Sequence, residues 1–207
     1  MSSLLILGDT SGSVLLQAPA IAGSTTLTLP ATSGTVITSA STGMVRITSG
    51  TVTASSTITV DGCFTSSYLN YIIYVNTAYT GSADQDAYLQ FRAGGSTNGG
   101  NYAFNVNYIN AGVNAGTASS NSGSSGAIII YDNMDSGSIF NGELQVFNPQ
   151  TATKTTSQWS LYGEDGSNFK QMLGFGFQSQ STSFDGFIIT MQSGTLTGTY
   201  DVYGVAR

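Results

Sequence analysis

The chain has 207 residues and a net charge of −6; 8% are charged, 26 are glycine, and counting the sequence gives 27 threonines and 29 serines. Five Lys and Arg residues cannot neutralise a phosphate backbone, which counts against nucleic-acid binding, and the absence of histidine removes the commonest general base and metal ligand. With 40% hydrophobic and 11% aromatic residues the chain can still pack a core, and its Thr, Tyr and Phe favour a pleated surface, so the expected class is all-β.

At the start, Met1-Ser-Ser-Leu-Leu-Ile-Leu-Gly8 lacks a basic region and is too short in its apolar run for a signal peptide. No apolar run approaches the ~20 residues of a spanning helix. The expectation is a soluble protein that does not use the general secretory route.

The next residues read as short strands, Val14 to Gln17, Thr25 to Leu29 and Gly34 to Thr38, punctuated by Pro19, Gly23 and Pro30. They carry Leu27, Leu29, Val36 and Ile37 but no aromatic residue. One copy cannot enclose a core from so little apolar surface, so residues 1–43 are expected to be an oligomerisation segment that packs around a symmetry axis, as a trimer.

From Met44 the pattern changes to aromatic and β-branched alternation without a helical period. Strands are expected at Met44 to Thr48, Thr57 to Val60, Tyr71 to Tyr79 and Asp86 to Ala93, the last placing Ala87, Leu89 and Phe91 on one face. Further strands run at Asn101 to Ile109, Ala127 to Tyr131, Ile139 to Phe147, Gln158 to Tyr162, Met172 to Phe177, Phe184 to Met191 and Thr197 to Val205. Glycine- and serine-bearing turns between them indicate an antiparallel β-sandwich of jelly-roll type over 44–207.

Two connections stand out: Gly94 to Asn101, rich in glycine, and Ala111 to Gly126, built of Ala, Asn, Ser and Gly. Both are expected to be exposed loops of variable conformation, and Asn98, Asn101, Asn114 and Asn121 are their candidate ligand contacts.

Catalytic candidates reduce to carboxylates and serines. Asp84 with Asp86, Asp132 with Asp135, and Glu164 with Asp165 are close in sequence, each at a strand end or turn where Asp satisfies backbone donors. Glu143 and Asp185 are a sequence-distant pair that a glycosidase would have to bring together in a cleft. Asp132-Asn-Met-Asp135 offers oxygen ligands without the spaced acidic loop of a calcium hand, so no metal or other cofactor is assigned. Gly174-Phe-Gly-Phe177 is no phosphate cradle, because no Lys-Ser or Lys-Thr dyad follows it.

Cys63, the single cysteine, has no basic neighbour and reads as a small half-buried residue beside Phe64. Trp159, with Tyr162 three residues on, is a candidate platform for stacking a sugar, against its alternative as a core or subunit-contact residue.

Two stretches resemble the fibre, spike and head-decoration subunits of tailed bacteriophages. One runs from Val14 through Ala18-Pro-Ala-Ile-Ala-Gly-Ser-Thr-Thr-Leu-Thr-Leu-Pro30 to Val36, and the other comprises Phe184-Asp-Gly-Phe187, Ser193-Gly-Thr195 and Tyr200-Asp-Val-Tyr-Gly-Val-Ala-Arg207. Asp86 to Gly95 lies between them, so the likeness spans most of the chain.

The resemblance implies a homotrimer on the virion surface, assembled in the host cytoplasm, and the absence of histidine and of paired catalytic motifs adds the expectation that it is not an enzyme. Its N-terminal segment would dock on other virion proteins, and its head would face outward towards a host-surface glycan. A lectin-like carbohydrate-binding module is the alternative, and a polysaccharide depolymerase the third reading.

Overall fold

The computed structural model describes residues 3–7, 9, 11–17, 43–111, 115–165 and 168–206. The chain divides into two compact units, residues 1–36 and 37–207.

In the first unit, β1 (Ser3–Leu7) and β2 (Ser13–Gln17) form an antiparallel hairpin with Leu5 opposite Leu15. The expected strand at Val14 to Gln17 is thus present. Its partner is the apolar run at the start of the chain, which sequence reading weighed only as a leader. Leu4, Leu5, Ile6, Leu7 and Leu15 are each at least 51% exposed. The strands expected at Thr25 to Leu29 and Gly34 to Thr38 lie outside the described residues.

The second unit is all-β and antiparallel, with no helix among the described residues. In chain order its strands are β3 (Met44–Ser55), β4 (Thr57–Val60), β5 (Asn70–Thr80), β6 (Gln85–Ala93), β7 (Ser96–Thr97) and β8 (Tyr102–Asn110). They continue with β9 (Ala115–Ser125), β10 (Ile128–Met134), β11 (Ile139–Phe147), β12 (Thr155–Asp165), β13 (Asn168–Gln178), β14 (Gly186–Met191) and β15 (Thr195–Val205). One sheet has the order β3-β15-β5-β11-β12-β13-β8-β9, the other β10-β6-β14-β4 with the short β7 paired to β6.

Alternation builds the core. On β5, Tyr71, Ile73, Val75, Thr77 and Tyr79 are buried while the residues between them face outward, the two-residue period of a strand with one wet face. Rings from the two sheets meet directly: Phe91 of β6 lies 6.2 Å from Tyr102 of β8, and Tyr131 of β10 lies 6.0 Å from Phe140 of β11. Phe64, in the connection after β4, packs 4.7 Å from Tyr71.

Three buried tyrosines, Tyr71, Tyr79 and Tyr102, set their hydroxyls against backbone groups of turns, since a phenol removed from water needs a partner. Tyr71 Oη donates to Thr65 O and accepts from Thr65 N, both at 2.6 Å. Tyr79 Oη donates to Ser82 O at 2.9 Å. Tyr102 Oη donates to Asn98 O at 2.9 Å and accepts from Phe91 N at 2.9 Å, and burial pushes its phenol up to about 12.

Two expectations about loops need correction. Residues 115–125 are not a loop but the edge strand β9, paired antiparallel along β8. Gly, Ser and Ala give no strand signal of their own, and the backbone ladder offered by β8 decides the conformation.

The connection Gly94 to Asn101 is mostly exposed, as expected, but it is not wholly a loop, since Ser96–Thr97 form β7 paired to β6. Gly94, Gly95, Gly100 and Asn101 take positive φ. Asn98 Nδ2 donates to Gln180 Oε1 at 2.7 Å, and Asn98 Oδ1 accepts from Gln178 Nε2 at 3.1 Å.

Candidate functional site

The pairing register lays the outward residues of the large sheet in rows that run across the strands. One row is Asn107, Leu173, Ser160, Glu143 and Tyr74, contributed in turn by β8, β13, β12, β11 and β5. The row on one side holds Phe175, Gln158 and Gln145; the row on the other holds Gln171, Tyr162 and Asn141. Ser160 is short beside Gln158 and Tyr162, its outward neighbours on β12, and lies at the floor of a trough between them.

Two depressions make up this trough. The larger, about 370 Å³, is bounded by Asn107, Glu143, Gln145, Gln158, Leu173 and Phe175, with Trp159, Ser160 and Gly174 also in its lining. The second, about 260 Å³, is lined by Tyr74, Gly142, Glu143, Ser160 and Tyr162. Glu143 and Ser160 belong to both. Spanning five strands at ~4.8 Å spacing makes the trough roughly 19 Å long.

Its polar groups form two networks. Gln158 Nε2 donates to Gln145 Oε1 at 2.9 Å, and Gln145 Nε2 donates to Glu143 Oε1 at 3.3 Å. On the other wall Gln171 Nε2 donates to Ser160 Oγ at 3.0 Å and to Tyr162 Oη at 3.1 Å. A carboxylate accepts about four hydrogen bonds, so Glu143 keeps most of its capacity for a ligand. It is the one charged side chain among the lining residues.

Apolar surface lies alongside. Phe175 is 63% exposed on the rim, while half-buried Leu173 forms part of the floor. Tyr162 is stacked on exposed Phe169 at 6.0 Å and 24°, and Tyr74 meets Tyr203 edge-on at 5.8 Å.

The candidate site residues read from sequence fare unequally. Trp159 is only 4% exposed and belongs to the core, so its ring is no sugar platform. An odd spacing within one strand puts side chains on opposite faces: Trp159 points inward with Ser157 and Leu161, and Tyr162 points outward into the trough. That parity was legible in Gln158 to Tyr162.

Asn98 is tied up within the fold, as described above. Asn101 is exposed, and its carbonyl accepts from Ser179 N at 3.0 Å. On β9, Asn121 Oδ1 accepts from Gly123 N at 3.0 Å. Asn114 lies outside the described residues. Among the described five, Tyr162 presents its side chain to the trough, and buried Trp159 borders the floor from beneath.

The sequence-distant acids do not meet. Glu143 stands on the outer face of the large sheet, whereas Asp185 lies just before β14 of the small sheet and accepts from Gly94 N at 3.2 Å. Asp86 and Asp132 do meet, across β6 and β10. Asp86 accepts from Tyr88 Oη and Asn133 N, each at 3.2 Å.

Partial burial and the neighbouring Asp86 carboxyl push Asp132 up to about 6. From the large sheet, Lys170 Nζ reaches the Asp132 carbonyl at 2.8 Å, its ammonium 5.7 Å from the ring of Tyr108 and 5.8 Å from that of Tyr131. No group of three or more acidic, His or Cys residues arranged to hold a metal occurs among the described residues.

Cys63 is buried, its Sγ 3.9 Å from Val60 O, and desolvation pushes its thiol up to about 12. Arg92 donates to both oxygens of Asp61, at 2.7 and 3.2 Å, to Thr97 Oγ1 at 2.7 Å and to Gly95 O. Its role is to hold the Gly94 to Asn101 turn.

No protein-family model matches the chain, and neither a curated protein nor a solved structure is significantly similar to it.

Proposed function

We propose that the protein is a non-enzymatic structural subunit of a tailed-phage particle, displayed on the virion surface as a homotrimeric short fibre, spike or capsid-decorating knob. The observation that carries the oligomer is the hairpin β1–β2. Five aliphatic side chains on two short strands are at least half exposed. A two-stranded hairpin is marginally stable alone, and equivalent hairpins around a symmetry axis would bury those side chains together.

Strand order supports a jelly-roll reading of the second unit. Setting aside β7 and the hairpins β8–β9 and β12–β13, eight strands remain: β3, β4, β5, β6, β10, β11, β14 and β15. Numbered one to eight, they run one-eight-three-six in the large sheet and two-seven-four-five in the small one. That is the order of two Greek keys rolled into a sandwich. The two extra hairpins widen the large sheet from four strands to eight.

The virion assignment rests on the sequence resemblance of residues 14–36 and 184–207, with the hydroxyl-rich, charge-poor composition in agreement. Native mass spectrometry of the full chain tests the assembly: a trimer is expected, and a stable monomer at micromolar concentration overturns it. Removing residues 1–43 should yield a folded monomer that no longer enters particles. A truncated chain that still assembles into them would refute the anchoring role.

A further inference from the structure

We infer that the trough across the large sheet is a binding site for a neutral glycan chain, with Glu143 as its central hydrogen-bond acceptor and Phe175 as its apolar stacking surface. The inference is independent of the virion reading, because it concerns one face of one chain.

Sugars present hydroxyls around an apolar ring face, so a site for them needs planar hydrogen-bonding groups beside an exposed aromatic ring. The trough supplies both. Gln158 feeds Gln145 and Gln145 feeds Glu143, which orients the carboxylate and polarises the amides before a ligand arrives. Phe175 stands on the same wall, next to Gln158 in the register, with nearly two thirds of its surface open to water.

The length and openness of the trough suit a chain laid across the strands rather than a single small molecule in a pit. Four pairing steps carry the row from Asn107 to Tyr74, and Glu143 and Ser160 border both depressions along it.

Charge selects the ligand class. The lining holds one carboxylate and no cation. The same row continues past Tyr74 to Asp201, which has Arg46 as an exposed partner at 3.8 Å. A phosphorylated, sialylated or uronate-bearing chain would bring like charge to Glu143 without a basic side chain in the lining to offset it. Uncharged hexose polymers incur no such penalty.

The competing occupant is a second copy of this chain, since exposed Phe175 could also be an inter-subunit contact. The experiment separates the two. The full chain is run by affinity electrophoresis in gels containing dextran, galactomannan or amylopectin, and in a gel containing polygalacturonate as the acidic control.

Retardation is expected in at least one neutral gel and not in polygalacturonate. Glu143→Gln and Phe175→Ala should each weaken it by at least about tenfold. Exposed Gln158→Ala provides a third variant should either of these unfold early. Met44→Ala, at the far edge of the same sheet, should leave it unchanged.

Absence of retardation in all three neutral gels overturns the inference, as does undiminished binding by Glu143→Gln and Phe175→Ala together. If Phe175→Ala instead lowers the native mass, the face is a contact between copies and the glycan site is refuted. If the assembly fails but sugar binding persists, only the oligomer proposal falls.

Discussion

The indole of Trp159 lies across Gly174, its register partner on the neighbouring strand, so closely that a Cβ at residue 174 would fall 2.2 Å from Trp159 Cζ2. The glycine is therefore a recess for the ring. It also explains why a core tryptophan underlies the trough floor: the ring fills the inner face where residue 174 has no side chain.

Gly174→Ala should destabilise the protein by about 1–3 kcal/mol through overpacking, read as a lower midpoint in chemical denaturation. Trp159→Phe leaves a gap yet loses no hydrogen bond, since Nε1 has no partner among the described residues. The double variant should be more stable than the sum of the single losses predicts, because the smaller ring vacates the space the new methyl enters. Strict additivity would show that the two positions do not compete for one volume.

The Asp86–Asp132 contact gives an inverted pH dependence. Asp132 holds its proton up to about 6 in the folded state, against about 3.9 unfolded. A raised carboxyl contributes stability that is fully present below about pH 4 and is lost as pH rises through about 6. Asp132→Asn should therefore raise stability at pH 7 by about 1 kcal/mol, after discounting for solvent screening. It should also flatten the profile of unfolding midpoint between pH 4 and 7. An unchanged profile would remove Asp132 as its cause.

Asp61 should titrate the other way. The Arg92 guanidinium beside it holds its carboxyl below the ordinary range, so the stability it contributes is present above the unfolded value and lost as pH falls. Arg92→Ala should return the Asp61 titration, followed by carboxyl-detected NMR, to the ordinary range. It should also increase proteolytic cutting within residues 94–100, because the same side chain holds Thr97 and the Gly95 carbonyl.

Cys63 should be inert in the native protein. Its thiol is 2% exposed and remains protonated far above neutrality, and the thiolate is the reactive form. Ellman's reagent should label it only at the rate of global unfolding. Stoichiometric labelling within seconds at pH 8 would show that the segment between β4 and β5 opens locally.

Where side-chain alternation is strong, the fold can be read from sequence. Tyr71 to Tyr79 and Asp86 to Ala93 declare their inward faces by the two-residue period, and both are strands in the structure. Residues 115–125 carry no such signal, because Gly, Ser and Ala have too little side chain for a face to be distinguished, and their strand depends on the neighbour they pair with. The apolar start of the chain hid a strand for a different reason: Leu4 to Leu7 alternate nothing with polar residues.

The trough was illegible because it exists only through register. Asn107, Leu173, Ser160, Glu143 and Tyr74 are distant along the chain, and no local spacing joins them. Glu143 appeared in sequence only as half of an acid pair, and Phe175 only within a glycine-phenylalanine run. The parity of β12 was the one available clue, and it assigns Tyr162 to the outer face and Trp159 to the core.

The large sheet begins and ends its strands at one corner: Met44 pairs with Val205, and Gly43 O accepts from Ala206 N at 2.9 Å. That adjacency makes the second unit a natural substrate for circular permutation. A short linker from residue 206 to residue 43 would close the backbone into a ring, which could be reopened at a surface turn such as Gly62 or Gly137, both at positive φ with open space around them. Such a permutant would carry its attachment point at a new place on the sandwich while keeping the large sheet's outward rows in register.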